Sequence, residues 1–195
     1  MHSKLKALAA LLATILALGA CVSHSAIPYP VSWTPIEQGS TADGCPDLEG
    51  TYSSSGTGAF PPVTGGPPPI TSVFARMSRG TGMSSGRGWT VPPDAVSVSI
   101  EQTPETLRVT FSDENGAQSS LDFRRYRFNM SEERFDDTFT CSASDADSRL
   151  RFFAEPGFGR VLVSLLRATD GDLIVEWRQQ TRHGSASSWW RYLLQ

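Results

Sequence analysis

Val96-Ser97-Val98-Ser99-Ile100-Glu101, then Leu107-Arg108-Val109-Thr110-Phe111-Ser112 and Leu121-Asp122-Phe123-Arg124, form the stretch that decides the fold. In each segment apolar and polar residues alternate with a period of two. That period puts one face on a core and the other in water, which is the pattern of a half-buried β-strand. The connectors carry turn chemistry: Thr103-Pro104-Glu105 in the first gap, Asp113-Glu114-Asn115-Gly116 in the second. Asn-Gly favours a tight hairpin. The phase change between Phe123 and Tyr126 predicts a bulge.

Toward the C-terminus the same reading continues, with strands expected around residues 139–143, 150–153, 161–166, 173–177 and 189–194. Asp170-Gly171-Asp172 joins two of them as another hairpin. No segment after residue 90 is long enough, at a period of 3.6, to make a substantial helix. Only residues 131–137 suit a helical turn, capped by Ser131 with Glu132 and Glu133 behind it. The expected fold is all-β, an antiparallel meander closed or partly open as a barrel, since closure removes exposed strand edges.

Toward the N-terminus the pattern fades. Residues 80–88 are irregular, and residues 70–77 read equally as one helical turn or a short strand. Residues 53–69 hold Gly56, Gly58, Gly65, Gly66 and five prolines, which predicts a long loop. Residues 45–52 start the domain. Residues 22–44, with Pro28, Pro30 and Pro35, read as an extended tether. Within it Ile27, Tyr29, Val31 and Trp33 alternate, a pattern that could dock on the domain edge.

Before the tether, His2, Lys4 and Lys6 precede an apolar run of roughly 14 residues, whereas a membrane-spanning helix needs about 20. The run therefore reads as a cleaved signal. Its end, Leu18-Gly19-Ala20-Cys21, resembles the lipobox of bacterial lipoproteins. The resemblance implies cleavage before Cys21, a diacylglycerol on its sulfur and usually a further acyl chain on the new amino group. Two or three chains anchor stably where one does not. Val22, where Asp would favour the inner membrane, implies the outer membrane, with the domain facing the periplasm. The expected organisation is a signal over residues 1–20, a lipidated tether over 21–44 and one β-domain over 45–195.

Maturation alters the arithmetic. Both lysines leave with the signal, so fifteen arginines face twenty acidic residues, a net charge of −5. That balance argues against nucleic acid, whose phosphates call for a basic surface. With Cys21 lipidated, Cys45 and Cys141 remain as an even pair in an exported chain, which predicts a disulfide. Such a bond closes a loop worth about 4.7 kcal/mol in the chain-entropy model. A metal reading lacks partners, because His24 and His183 lie far from either cysteine in sequence. No metal or cofactor is expected.

Gly82-Met83-Ser84-Ser85-Gly86 matches the Gly-x-Ser-x-Gly pattern of serine hydrolases. That chemistry needs a buried strand before the serine and a helix after it. Here Ser78-Arg79-Gly80-Thr81 precedes and Pro92-Pro93 soon follows. His183 could complete a triad on paper with Ser84 and any of several Asp residues, but it sits in the Gly/Ser connector spanning 182–188. The match reads as chance, and no catalytic residue is expected. Arg124, Arg125 and Arg127 form the densest basic cluster, a candidate contact for an anionic ligand or partner. The alternative is a solvated strand face with cross-strand ion pairs. Trp189 and Trp190 are the other candidate contacts: on a regular strand they face opposite ways, so one is expected outside.

Cys45-Pro46-Asp47-Leu48-x-Gly50-x-Tyr52 resembles the domain start of a group of small proteobacterial lipoproteins. That resemblance implies no activity. A second similarity is to lipocalins, which open with Gly-x-Trp and pack an arginine of the last strand across that aromatic. Gly50-Thr51-Tyr52 and Arg191 could take those parts. Together these readings predict a non-enzymatic outer-membrane lipoprotein acting in binding or envelope assembly. Its partner would be an envelope protein, with a lipocalin-like carrier of a small apolar ligand as the alternative.

Overall fold

The computed structural model describes residues 28–38, 44–59, 67–78, 94–126, 138–142, 148–154, 160–181 and 184–195. The signal, Cys21, His24, Ile27, the Ser84 motif, Arg127, the 131–137 turn and His183 lie outside these residues. Nine strands and one helix follow in order: β1 (Gly50–Ala59), α1 (Ile70–Ser78), β2 (Ser97–Gln102), β3 (Thr106–Ser112), β4 (Gln118–Arg125), β5 (Thr138–Ser142), β6 (Arg149–Ala154), β7 (Arg160–Arg167), β8 (Leu173–Thr181) and β9 (Gly184–Leu194). Each strand pairs with the next in sequence, and β9 returns to β1 to close the barrel.

Closure with nine strands corrects one part of the meander. When each strand neighbours its successor around a ring, directions can alternate throughout only if the strand number is even. Nine forces one parallel pair, and it is β4–β5, joined at Arg124 opposite Thr138 and Arg125 opposite Phe139. Twelve residues separate the two strands, the connection length that a parallel pair requires. The phase change at Tyr126 marks this junction instead of a bulge. β4 ends at Arg125, and the Tyr126 N–H donates to the Phe139 carbonyl at 2.7 Å.

Two of the hairpins share one bonding pattern. In the β3–β4 turn the Asp113 N–H donates to the Ala117 carbonyl, and the Gly116 N–H to the Asp113 carbonyl. In the β7–β8 turn Ala168, Asp172 and Gly171 repeat those bonds. Gly116 (φ 79°) and Gly171 (φ 93°) sit in the left-handed region that each three-residue loop requires. The β7–β8 turn, the β2–β3 turn, the start of β1 and the C-terminus share one end of the barrel, called lower here. The β3–β4 turn, the end of β8 and the start of β9 mark the upper end.

β1 overturns the expectation of a loop after residue 52, since the strand runs on to Ala59. The glycines that argued for a loop are what let it pass. A Cβ on Gly56 would stand 2.6 Å from Tyr192 Cε1 and 2.8 Å from the Arg191 carbonyl. Only a bare backbone fits beside β9 there, and the pairing with β9 shifts register between Tyr52 and Gly56 as a bulge. β9 likewise begins at Gly184, so most of the expected Gly/Ser connector is strand.

Residues 70–78 resolve as helix. Ile70, Val73, Phe74 and Met77 recur at i, i+3, i+4 and i+7, and all four are buried in the barrel core. The Phe74 ring lies 6.2 Å from those of both Phe111 and Phe123. Phe123 in turn stacks edge-on against Phe152 at 4.9 Å. The helix thus fills part of the space the strands enclose.

Candidate functional site

The Cys-Pro-Asp-Leu motif closes the lower end. Cys45 bonds Cys141 of β5, with the two Cα atoms 5.0 Å apart. The Gln102 side chain clamps the motif, its Nε2 donating to the Pro46 carbonyl (2.9 Å) and its Oε1 accepting from the Leu48 N–H (3.2 Å). Asp47 Oδ1 accepts from the Glu49 N–H in an Asx turn. Leu48 is fully buried, and the Tyr52 hydroxyl reaches back to its carbonyl at 2.9 Å. Burial pushes the Tyr52 phenol up to about 12. Each residue of the motif has a structural task.

The outer wall divides into two unlike halves. On β1–β4 it is hydroxyl-rich, with Thr51 bonded to Ser99 and Thr110 to Ser120 across the strands, each at 2.9 Å. On β7–β9 the outward positions Leu166, Ile174 and Trp189, with Ala168, form a second apolar cluster. Apolar residues on the wrong side of a barrel need a cover, since a contiguous patch in water is unfavourable. The chain supplies one from its own N-terminal segment: Tyr29, Trp33 and Ile36 pack on this cluster. Tyr29 meets Trp189 edge-on at 5.3 Å and Trp33 at 5.9 Å.

Polar contacts hold this strap in place. Ile36 bridges to Ala168, the Glu37 N–H donates to the Arg167 carbonyl at 2.8 Å, and the Thr169 N–H donates to the Pro35 carbonyl at 2.9 Å. The Thr34 hydroxyl donates to Asp170 Oδ2 and the Tyr29 hydroxyl to the Thr34 carbonyl, both at 2.5 Å. Arg191 braces the same corner, with Nε on Asp172 (2.5 Å) and Nη2 on Asp170 (2.6 Å). Burial raises the Asp170 carboxyl, but the Thr34 hydroxyl, the Asp172 N–H and Arg191 outweigh it and hold it below its usual value. Burial also raises the Tyr29 phenol.

Residues 29–37 are therefore packed, and not extended throughout as their prolines predict, since a turn interrupts them at residues 30–33. They dock on the barrel wall, because a closed barrel offers no edge. Val31 does not join them: it sits fully exposed within the turn closed by the Trp33 N–H on the Pro30 carbonyl.

Trp189 and Trp190 do face opposite ways, and neither is exposed: Trp189 is 4% and Trp190 6% accessible. The strap covers the first, and the second points into the barrel. There its ring lies 5.7 Å from that of Trp177. The Trp190 Nε1–H is buried and has no acceptor among the described residues. The interior tyrosines differ, since Tyr192 donates to the Pro68 carbonyl at 2.8 Å and burial raises its pKa.

Of the basic cluster, the described members Arg124 and Arg125 turn different ways. Arg124 stands exposed on the outer face, whereas Arg125 turns to the Pro104 carbonyl at 3.3 Å. The well-formed pair nearby is Arg108 with Asp122, whose two oxygens accept from Nε and Nη2 at 2.7 and 3.1 Å. That hydrogen bond lowers the Asp122 pKa. Arg191 also departs from its lipocalin-like part. It lies opposite Thr57, not Tyr52, and its guanidinium serves Asp170 and Asp172.

Sequence reasoning missed, among other features, the buried acid Glu176 with its two arginines. Only 3% exposed on the outer side of β8, it holds Arg149 and Arg178 at 2.6 Å each. It missed the strapped patch as well. The signal for the patch was present: Leu165-Leu166 and Leu173-Ile174-Val175 are unbroken apolar runs, which mark strands buried on both faces. Among the described residues no three His, Cys, Asp or Glu side chains are placed to hold a metal ion. Compared with known protein families, curated proteins and solved structures, the chain matches none.

Proposed function

We propose that this chain is a lipoprotein of the bacterial outer membrane, anchored through Cys21, whose periplasm-facing barrel has a non-enzymatic binding or envelope-assembly role. The docked strap is the observation that carries this reading. From Cys21 to Tyr29 only seven residues intervene, a reach of about 25 Å at ~3.4 Å per residue. Without docking, the 23 residues between Cys21 and Cys45 could span about 80 Å. Docking thus shortens the leash about threefold and turns the β7–β9 side of the barrel toward the anchor. Such an arrangement suits work at the membrane surface and leaves the hydroxyl-rich β1–β4 wall free for a partner.

Labelled palmitate incorporation and membrane fractionation of the wild type and Cys21→Ser test the anchor. Loss of label and release from the membrane in the variant are expected; an unlabelled wild type would sink the reading. Photo-crosslinkers at Ser99 and Ser120 in intact envelopes test the wall, with a discrete crosslinked protein expected.

A second reading, a carrier of a small apolar ligand, is favoured by the inward-facing pair of Trp177 and Trp190. An indole pair offers apolar area together with a hydrogen-bond donor.

A further inference from the structure

Buried donors in native folds nearly always meet an acceptor, and an exception calls for an account. Trp190 is such an exception. Its ring is more than nine-tenths buried, yet its Nε1–H has no acceptor among the described residues. Its cross-strand neighbours explain why none is supplied. Opposite Trp190 stand Gly58 on β1 and Val175 on β8, neither with a polar side chain.

The donor also lies beside a route to solvent. Trp177, stacked on Trp190, is only partly buried, and Gln179, two residues farther toward the upper end on the same face of β8, is exposed. On the β1 side Gly56 and Gly58 leave the facing strand without side chains. Among the described residues, the upper mouth between β8, β9 and β1 brings together the two indoles, the bare backbone at Gly56 and Gly58, the side chains of Ser188 and Gln179, and the unpaired Trp190 N–H.

We propose that this mouth binds a small, planar, apolar molecule that stacks on Trp177 and accepts a hydrogen bond from Trp190 Nε1 through a carbonyl or ether oxygen. The proposal rests on the carrier reading and names its ligand class. Stacking supplies area without direction, and the N–H selects the oxygen. The site is independent of lipidation at Cys21.

Coumarin and naphthalene, flat bicyclic probes with and without a carbonyl acceptor, separate the two contributions. Wild-type protein labelled with nitrogen-15 is titrated with each, following the Trp190 indole N–H resonance and the tryptophan emission. Saturable coumarin binding with a downfield shift of that resonance is expected, and binding about three- to tenfold tighter than naphthalene, the range of one neutral hydrogen bond. Trp190→Phe keeps an aromatic ring and removes the donor, so the preference for coumarin should vanish while naphthalene binding persists. Equal binding of both probes to the wild type overturns the hydrogen-bond proposal and leaves the carrier reading standing. Binding of neither overturns both. The wild-type resonance shift decides the matter even if the variant folds poorly.

Discussion

Replacing both Cys45 and Cys141 by Ser should open the barrel at one seam before it unfolds elsewhere. β5 is the least secured strand. Among the described residues it meets β4 at Arg124–Thr138 and Arg125–Phe139, and β6 at Thr140, Cys141 and Ser142. The disulfide fastens it from a third side, tying Cys141 to the plug that Gln102 and Leu48 hold in the lower end. With a sequence separation of 96, the chain-entropy model gives the bond about 4.7 kcal/mol, an upper figure because real cross-links often deliver less. That is a large share of the 5–15 kcal/mol that stabilises an ordinary domain. At about 2–4 °C per kcal/mol for a chain of this size, melting should fall by on the order of 10–19 °C.

Urea titration and thermal melting of the double-serine variant measure the global loss. Amide hydrogen exchange locates it. Protection of Tyr126 and of β5 should drop well below that of β7–β8 in the variant, and match it more nearly in the oxidised protein. A variant that loses less than about 1 kcal/mol, with β5 amides as protected as before, would refute the reasoning that the disulfide holds the seam.

Other perturbations test separate parts of the fold. Phe74→Ala removes the ring that α1 places against Phe111 and Phe123, and should cost about 3–5 kcal/mol in urea unfolding. Gly56→Ala drives a Cβ to 2.6 Å from the Tyr192 ring and should cost about 1–3 kcal/mol. Gly116→Ala meets nothing within 4 Å and should cost about 1 kcal/mol, for its backbone angle alone. Trp33→Ala should loosen the strap and speed proteolysis within residues 28–38, with barrel melting nearly unchanged. Acid should release the strap too. The folded-state pKa of Asp170 is depressed, so its stabilisation is complete above the ordinary value of 3.8 and disappears as pH falls through the lower folded value. Tyrosine-to-tryptophan energy transfer at Tyr29–Trp189 should fall over that window, and Asp170→Asn should abolish the dependence.

Much of the barrel was legible because it is written locally. Val98, Ile100, Leu107, Val109, Phe111, Leu121 and Phe123 alternate with polar neighbours, and every one is buried in the barrel core. Each inference needed only adjacent residues and the pleat of a strand. β1 was not legible, because its glycines make sense only beside Tyr192, more than 130 residues away. Of the candidate contacts, the opposed faces of Trp189 and Trp190 followed from strand geometry. What covers the first and what leaves the second N–H unpaired did not.

From the sequence alone came the all-β class, the hairpins at Asn115-Gly116 and Asp170-Gly171-Asp172, and the Cys45–Cys141 pair. These depend on side-chain alternation, on turn residues whose backbone preferences are intrinsic, and on the parity of the thiols. The tertiary structure decided the parallel β4–β5 seam, the strand through Gly56, the helix inside the barrel and the strap over Trp189. Each of these turns on closure or on surfaces remote in sequence. A ring must satisfy its own parity, and an apolar patch takes whatever segment can cover it. Neither condition exists until the chain has come together.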